Sequence, residues 1–481
     1  MWPLLLLIPF GPLALYGLHR LTHLALLART RSGPALPAAP PDDELPTLLV
    51  QLPIYNERNV AARLIRAAGE LDWPTDRLTL QVLDDSDDET RAIVDHEVAA
   101  LRAAGLHAEV LRRKDRSGFK AGALAAGLAG SDAELVAIFD ADFVPDRGFA
   151  RALVPYLADP GVGMVQAAWG HLNRDASALT RAQATLLDGH FLIEHRVRHR
   201  SGLFFNFNGT AGIWRRAAID EAGGWSDATL TEDLDLSYRA QLAGWRFAFA
   251  PEVVVPAELP VDLSAFGSQQ RRWAQGGVQV LRRLLGSLLR ARLGTHVRLE
   301  ALAHLTANVG YPLVLVLALL LPASLTFDRP LPEDLQLLVL LAGTLPVACF
   351  YLVGQRLAGR PLARSLVDVM LALALGIGIS WAQTRAVGRG LFTRHGVFVR
   401  TPKRGDAGSP YLELPALPWG EAALTLWMAW GIHCAAAQAL WWSLPLQALF
   451  LAGFAWVTAE GLRRRLGSAS VGAAPAVARQ P

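Results

Sequence analysis

Two carboxylates two residues apart, Asp140 and Asp142, follow the apolar run Leu135-Val136-Ala137-Ile138-Phe139 and precede Pro145. Such a run reads as a buried strand of a parallel sheet. Both acids are then expected at its carboxyl end, where open α/β sheets bind ligands. Hard oxygen ligands beside a phosphate-bearing molecule suit Mg²⁺ or Mn²⁺, which carboxylates and diphosphate oxygens can share. Taken alone, an Asp-x-Asp triplet more commonly means a strand ending in solvated acids. The rest of the chain argues for the ligand site.

A second apolar strand, Leu78 to Leu83, ends in Asp84-Asp85-Ser86-Asp87-Asp88. Lys120 lies among small residues where an Ala-rich helix opens, an arrangement suited to phosphate oxygens. The run Phe204 to Gly212, with Asn208, Gly209 and Thr210, alternates aromatic, amide and glycine residues. A sugar-binding wall has this character, because aromatic faces cover C–H bonds and amides bond hydroxyls. A buried strand followed by a turn has the same pattern. Thr231-Glu232-Asp233 marks a helix start with acids in its first turn. Asp233 is there either a capping acid or a base. Gln269-x-x-Arg272-Trp273 reads as an amphipathic helix with a buried Trp, or as an indole face that carries a sugar ring.

The elements that must position these residues alternate. Strands are expected at Leu48–Pro53, Leu78–Leu83, Leu135–Phe139, Met164–Trp169 and Ala248–Val255, with helices between them. That order argues a doubly wound parallel α/β sheet rather than a sandwich. In 481 residues, 52% are hydrophobic and only 19% charged, which points to membrane segments. A net charge of +3 gives no argument for nucleic acid, and two distant cysteines build neither a disulfide framework nor a zinc site. Residues 1–28 read as one membrane helix or uncleaved signal anchor, and 29–46 as a linker. The soluble domain spans 47–277, and an Arg-rich amphipathic interface helix spans 278–297. Two transmembrane helices are expected in 298–357 and two in 420–465, and the tail 466–481 is small and polar. Basic residues flank both ends of 362–386, so this segment is expected to be interfacial or re-entrant rather than a simple crossing. Five crossings follow, with the soluble domain cytoplasmic in a multi-pass protein of the cell (inner or plasma) membrane.

Together and in this order, the motifs resemble processive glycosyltransferase family 2 enzymes of the cellulose synthase superfamily. The D, D, D, Q-x-x-R-W signature stands here as Asp85, Asp140-Ala141-Asp142, Asp233 and Gln269-x-x-Arg272-Trp273. Gln-Leu-Pro-Ile-Tyr-Asn-Glu, Lys-Ala-Gly-Ala-Leu and Phe-Asn-Gly-Thr-Ala-Gly bring it nearest the cellulose-synthase-like A and C branches, makers of β-1,4-mannan or glucomannan and of glucan backbones. The resemblance implies a GT-A-type mixed sheet plus an α-helical transmembrane bundle. It assigns Asp84, Asp85 and Lys120 to the nucleotide and Asp140 and Asp142 to the metal and diphosphate. Asp233 becomes the general base and Arg272 a pyrophosphate contact. Trp273, Gln269, Asn208, Gly209, Thr210 and Glu232 fall at the acceptor. Phe398, Thr401 and Lys403 lie in a gating-like cytoplasmic loop within 387–419, where Arg400 replaces the family's usual Val. No control by c-di-GMP is expected.

The implied reaction is an inverting hexosyl transfer from a nucleotide sugar, GDP-mannose or UDP-glucose, to a growing β-1,4-linked polysaccharide, with possible translocation across the bilayer. A non-processive transferase moving one sugar to a lipid, as ceramide glucosyltransferase-like relatives do, is the alternative. A catalytically dead transport or scaffold subunit is a third reading, and it should have lost one of the acids; all are present.

Overall fold

The computed structural model describes residues 2–30, 37–327, 338–393 and 417–470. Seven strands form one sheet in the order β3-β2-β1-β4-β6-β5-β7. They are β1 (Leu48–Ile54), β2 (Leu78–Asp84), β3 (His107–Leu111), β4 (Leu135–Ile138), β5 (Val162–His171), β6 (Gly212–Arg215) and β7 (Arg246–Ala257). β1 to β4 are mutually parallel, β6 runs antiparallel to both β4 and β5, and β7 is parallel to β5. The sheet is therefore mixed, as the resemblance implied, and the parallel sheet argued from alternation is interrupted by β6. All strands except β6 point the same way, so β1, β2, β4, β5 and β7 end at one carboxyl edge, where β6 begins.

Alternate residues of β1 explain the doubly wound layering, since successive side chains face opposite sides of a sheet. Leu48, Val50, Leu52 and Ile54 pack with the helices Ala61–Gly69 and Thr90–Ala103. Leu49 packs on the other face with Leu124 and Leu128 of the helix Phe119–Ala129. The linker expected to end at residue 46 stops earlier as a solvated segment, because Leu45 is wholly buried in the first of these cores.

The amphipathic helix expected to start at 278 is the second half of one helix, Leu263–Arg290. Gln269, Arg272 and Trp273 thus share a rigid rod with the Arg-rich stretch. Among the described residues, Thr295–Thr326 and Trp441–Leu466 are long and apolar enough to cross a membrane. The helices Leu362–Gly378 and Ser380–Phe392 meet at a 52° bend and count as a third only if they form one broken span. Length and composition thus identify two or three such helices among the described residues. The first helix, Trp2–Arg29, carries Pro9 and Pro12 and is tied to the rest by polar contacts. His19 Nε2 lies 2.6 Å from Glu300 Oε2, and Arg20 pairs with Glu194. The last helix runs to Ser470, so the expected tail starts later than 466. The gating-like residues Phe398, Thr401 and Lys403 lie outside the described residues.

The sheet domain docks on the apolar helices through small and polar residues. Gln355 Nε2 donates to Asp188 Oδ2 at 2.7 Å, and Arg174 Nη2 reaches the same oxygen at 2.6 Å. A Cβ on Gly354 would lie 3.4 Å from the Gly189 backbone, so the two helices approach closely.

Candidate active site

A single cleft opens along the carboxyl edge of the sheet. Asp85, Lys120, Asp140, Asp142, Asn208, Gly209, Glu232, Asp233, Gln269, Arg272 and Trp273 all line it. Sheet order fixes their arrangement. β4, followed by Asp140 and Asp142, stands in the middle; the β1 and β2 ends lie to one side and the β5 and β7 ends to the other. On the first side the Arg116 guanidinium covers the Tyr55 ring 3.2 Å from its centroid. On the second stand Trp169, His171 and Glu258.

Lys120 is the central cation. Its Nζ donates to Asp140 Oδ1 at 2.5 Å and to the Gly209 carbonyl at 2.8 Å. Burial alone would lower this ammonium, but the carboxylates of Asp140, Glu232 and Asp233 outweigh it and hold the pKa above its ordinary value. Gly209 adopts φ +81°, open to glycine at little cost. A Cβ there would also stand 2.9 Å from Asp233 Oδ2 and 3.4 Å from Lys120 Nζ. The glycine thus lets the Asp233 carboxylate and the Lys120 ammonium approach from two sides. Thr210 is buried behind it and accepts from the Asp140 backbone N–H at 2.9 Å, so it positions the Asp-x-Asp turn rather than facing a ligand.

Asp233 stands in the first turn of the helix Glu232–Leu242 and accepts from the Leu234 N–H at 2.8 Å. Burial and the neighbouring Glu232 push its carboxyl up to about 7, against the pull of Lys120, the Leu234 hydrogen bond and Arg272. A carboxylate tuned to that range is suited to taking a proton near neutral pH. The helix Leu263–Arg290 holds this turn in place: Gln279 Oε1 accepts from the Leu230 N–H at 3.0 Å. A Cβ on Gly276 would approach the Thr231 side chain to 2.6 Å, which only a glycine avoids.

Asp84 departs from its expected role. Its side chain is fully buried, accepting from Arg112 Nε at 2.8 Å and from the Ser86 N–H at 3.0 Å, and it does not line the cleft. It holds the strand end together, and Asp85, paired with Arg113 at 2.5 Å, is the acid that reaches the cleft.

Asp140 and Asp142 supply hard oxygen donors from one turn, chemistry that fits a divalent cation. Among the described residues, three metal-type ligand atoms converge within 4.8 Å only at His19, His23 and Glu300, far along the chain from this turn. A cation at Asp140 and Asp142 would complete its shell with ligand and water oxygens, as Mg²⁺ commonly does.

Sequence reasoning missed Gln166, His190 and Glu258. Gln166 is fully buried, accepting from the Asn208 N–H at 3.0 Å and donating to the Thr210 and Ala211 carbonyls at 3.0 Å. A lone amide inside the apolar strand Met164–Trp169 was its only signal.

Residues 46–276 match the family Glycosyltransferase like family 2. Glucomannan 4-beta-mannosyltransferase 2 of Arabidopsis thaliana is 45% identical over 259 residues, covering 52% of this chain and 48% of that protein. Glucomannan 4-beta-mannosyltransferase 1 of Oryza sativa subsp. japonica is 42% identical over 262 residues, covering 52% and 50%. The chain thus spans about half the length of the curated relatives it matches. The mannosyltransferase PcManGT from Pyrobaculum calidifontis, solved in complex with GDP-Man and Mn²⁺, superposes with a TM-score of 0.56 at 21% identity. It covers 82% of this chain and 99% of that one, and so shares its fold.

Proposed function

Because residues 46–276 match the family Glycosyltransferase like family 2, we propose that the chain is a membrane-embedded, inverting hexosyltransferase that extends a β-1,4-linked mannan or glucomannan from GDP-mannose. The observation that carries this is the convergence of Lys120, Asp140, Asp233, Arg272 and Trp273 on one cleft, from four separate stretches of chain. The names of the similar proteins, 4-beta-mannosyltransferases, support the sugar and the linkage.

An acceptor hydroxyl is a poor nucleophile until a base takes its proton. Asp233 accepts that proton as the hydroxyl oxygen bonds to the donor's anomeric carbon. The bond from that carbon to the diphosphate breaks, and the nucleoside diphosphate departs with the electron pair. Lys120 and Arg272 oppose the charge that gathers on it. Asp140 and Asp142 would hold a divalent cation, Mg²⁺ or Mn²⁺, whose charge supports the same leaving group when bound. One displacement with one base inverts the anomeric centre, so an α-linked donor yields a β-linked product. Trp273 offers the acceptor sugar a flat apolar face on which a chain can advance. The crossing helices then give the product a route through the bilayer from a cytoplasmic domain.

The test is the full chain in lipid nanodiscs, given GDP-mannose or UDP-glucose separately, with linkage-specific hydrolases applied to the product. A polymer made from GDP-mannose and cut by endo-β-1,4-mannanase is expected. Release of no nucleoside diphosphate from either donor, or a product of one sugar on a lipid, would overturn the reading.

A further inference from the structure

Three side-chain atoms on the cleft-lining residues of the β5–β7 side are closed off from solvent yet have no hydrogen-bond partner among the described residues: Trp169 Nε1, Asn208 Oδ1 and Glu258 Oε2. Buried polar atoms without partners are rare in native proteins, because each loses its water and gains nothing. Three on one stretch of wall point to a ligand that completes them. Trp169 lies near the end of β5 and Glu258 follows β7, and these strands pair in parallel with Trp169 opposite Val255. The two residues therefore stand on neighbouring strand ends, across Asp140 and Asp142 from Tyr55 and Arg116.

Each is held in place by its other contacts. The Trp169 ring packs against Phe143 and Phe191, with centroids 5.1 Å away in both cases. Glu258 spends its other oxygen on Arg63 Nη1 at 2.9 Å. Asn208 Nδ2 lies 2.9 Å from His190 Nε2, and His190 Nδ1 lies 3.2 Å from Glu194 Oε2. This chain settles the amide's orientation. A carboxylate only accepts, so His190 Nδ1 carries the hydrogen. Burial holds the imidazole neutral, well below its ordinary pKa, with the His195 and Arg198 charges acting in the same direction. Nε2 must then accept, the Asn208 NH₂ donates to it, and the Asn208 carbonyl oxygen is the atom left for a ligand. His190 opens a π-helical turn, His190–His195, a feature common at functional sites.

We propose that Trp169, Asn208 and Glu258 form a hydroxyl-reading subsite for a neutral hexopyranose ring on the acceptor side, with His190 the positioning residue that aims the Asn208 oxygen. One N–H donor and two oxygen acceptors complement sugar hydroxyls, which both accept and donate. The Glu258 carboxylate disfavours uronic acids and phosphorylated sugars, whose negative charge it would repel. The assignment rests on the transferase reading for the class of ligand, and the experiment separates the two.

The full chain in nanodiscs is titrated calorimetrically with β-1,4-mannotetraose, cellotetraose, a tetra-uronate and, separately, GDP and UDP. The wild type is expected to bind a neutral tetraose and not the uronate. Trp169→Phe, which keeps the ring and removes the N–H, and Glu258→Gln should each weaken tetraose binding about tenfold while leaving nucleotide binding unchanged. His190→Ala should match Asn208→Ala, and the double variant should lose little more, because both remove one aimed oxygen. Tetraose binding unchanged in Trp169→Phe and Glu258→Gln overturns the subsite, as does an equal loss of tetraose and nucleotide binding in both. A wild type that binds neither GDP nor UDP overturns the transferase reading instead.

Discussion

The two sides of the sheet's carboxyl edge treat their polar atoms differently. Beside β1 and β2, the protein answers its own acids: Arg112 closes on Asp84, and Arg113 holds Asp85 with contacts of 2.5 and 3.1 Å. Beside β5 and β7, Trp169, Asn208 and Glu258 keep buried atoms with no partner among the described residues. Between them, Lys120 and Asp233 sit at perturbed pKa values in opposite charge states of need, one stabilised as a cation and one resisted as an anion.

The comparison breaks most visibly at its centre. Asp233→Asn should reduce turnover about 1,000-fold, the scale of a lost general base. Nucleotide affinity should hardly change, which single-turnover kinetics alongside calorimetry would read. Elongation at the wild-type rate would remove Asp233 from the chemistry. Next in size, Asp140→Asn combined with Asp142→Asn should weaken GDP binding about 100-fold in the presence of Mn²⁺. EDTA should bring the wild type to the same level, and a variant that still responds to EDTA would place the cation elsewhere.

The pH profile sharpens the same contrast with a smaller effect. The Asp233 carboxyl, pushed up to about 7 by burial and Glu232, must be ionised to act, so kcat/KM should fall as pH drops through about 7. Glu232→Gln removes a negative neighbour and should move that limb to lower pH. Lys120→Met removes a positive one and should move it to higher pH. Shifts in the reverse sense would contradict the electrostatic account. The smallest effect belongs to the paired side. Arg112→Ala leaves buried Asp84 without its guanidinium and should cost about 2 kcal/mol of stability. Nucleotide affinity should stay near wild type, and a large loss there would return Asp84 to the ligand.

The strands of this fold were legible where burial on both faces makes them apolar throughout, as in β4, Leu-Val-Ala-Ile. β3 was not, because an edge strand beginning with a solvent-facing His107 and carrying Glu109 has no such run. β6 escaped because four residues are too few to show a period. Gly276-Gly277 looked like a boundary between elements, yet the helix runs through them. Their small size serves close packing on Thr231 and Asn308 rather than a turn. Of the acids at strand ends, Asp85, Asp140 and Asp142 line the cleft and Asp84 does not, although Asp84 and Asp85 are adjacent and each meets an arginine. Nothing local distinguishes the two, since Arg112 and Arg113 arrive from beyond β3.

By itself, the order of residues determined which chemistry the chain contains: acids after buried strands, a lysine at a helix start, an arginine and an indole one turn of helix from a glutamine. These follow from local rules of hydrophobic period and side-chain type. Only the tertiary structure decided which of those groups share a cleft, which carboxylate meets a guanidinium, and which buried polar atoms find a partner. Those outcomes depend on contacts between residues far apart in the chain, and desolvation and charge act through space regardless of sequence distance.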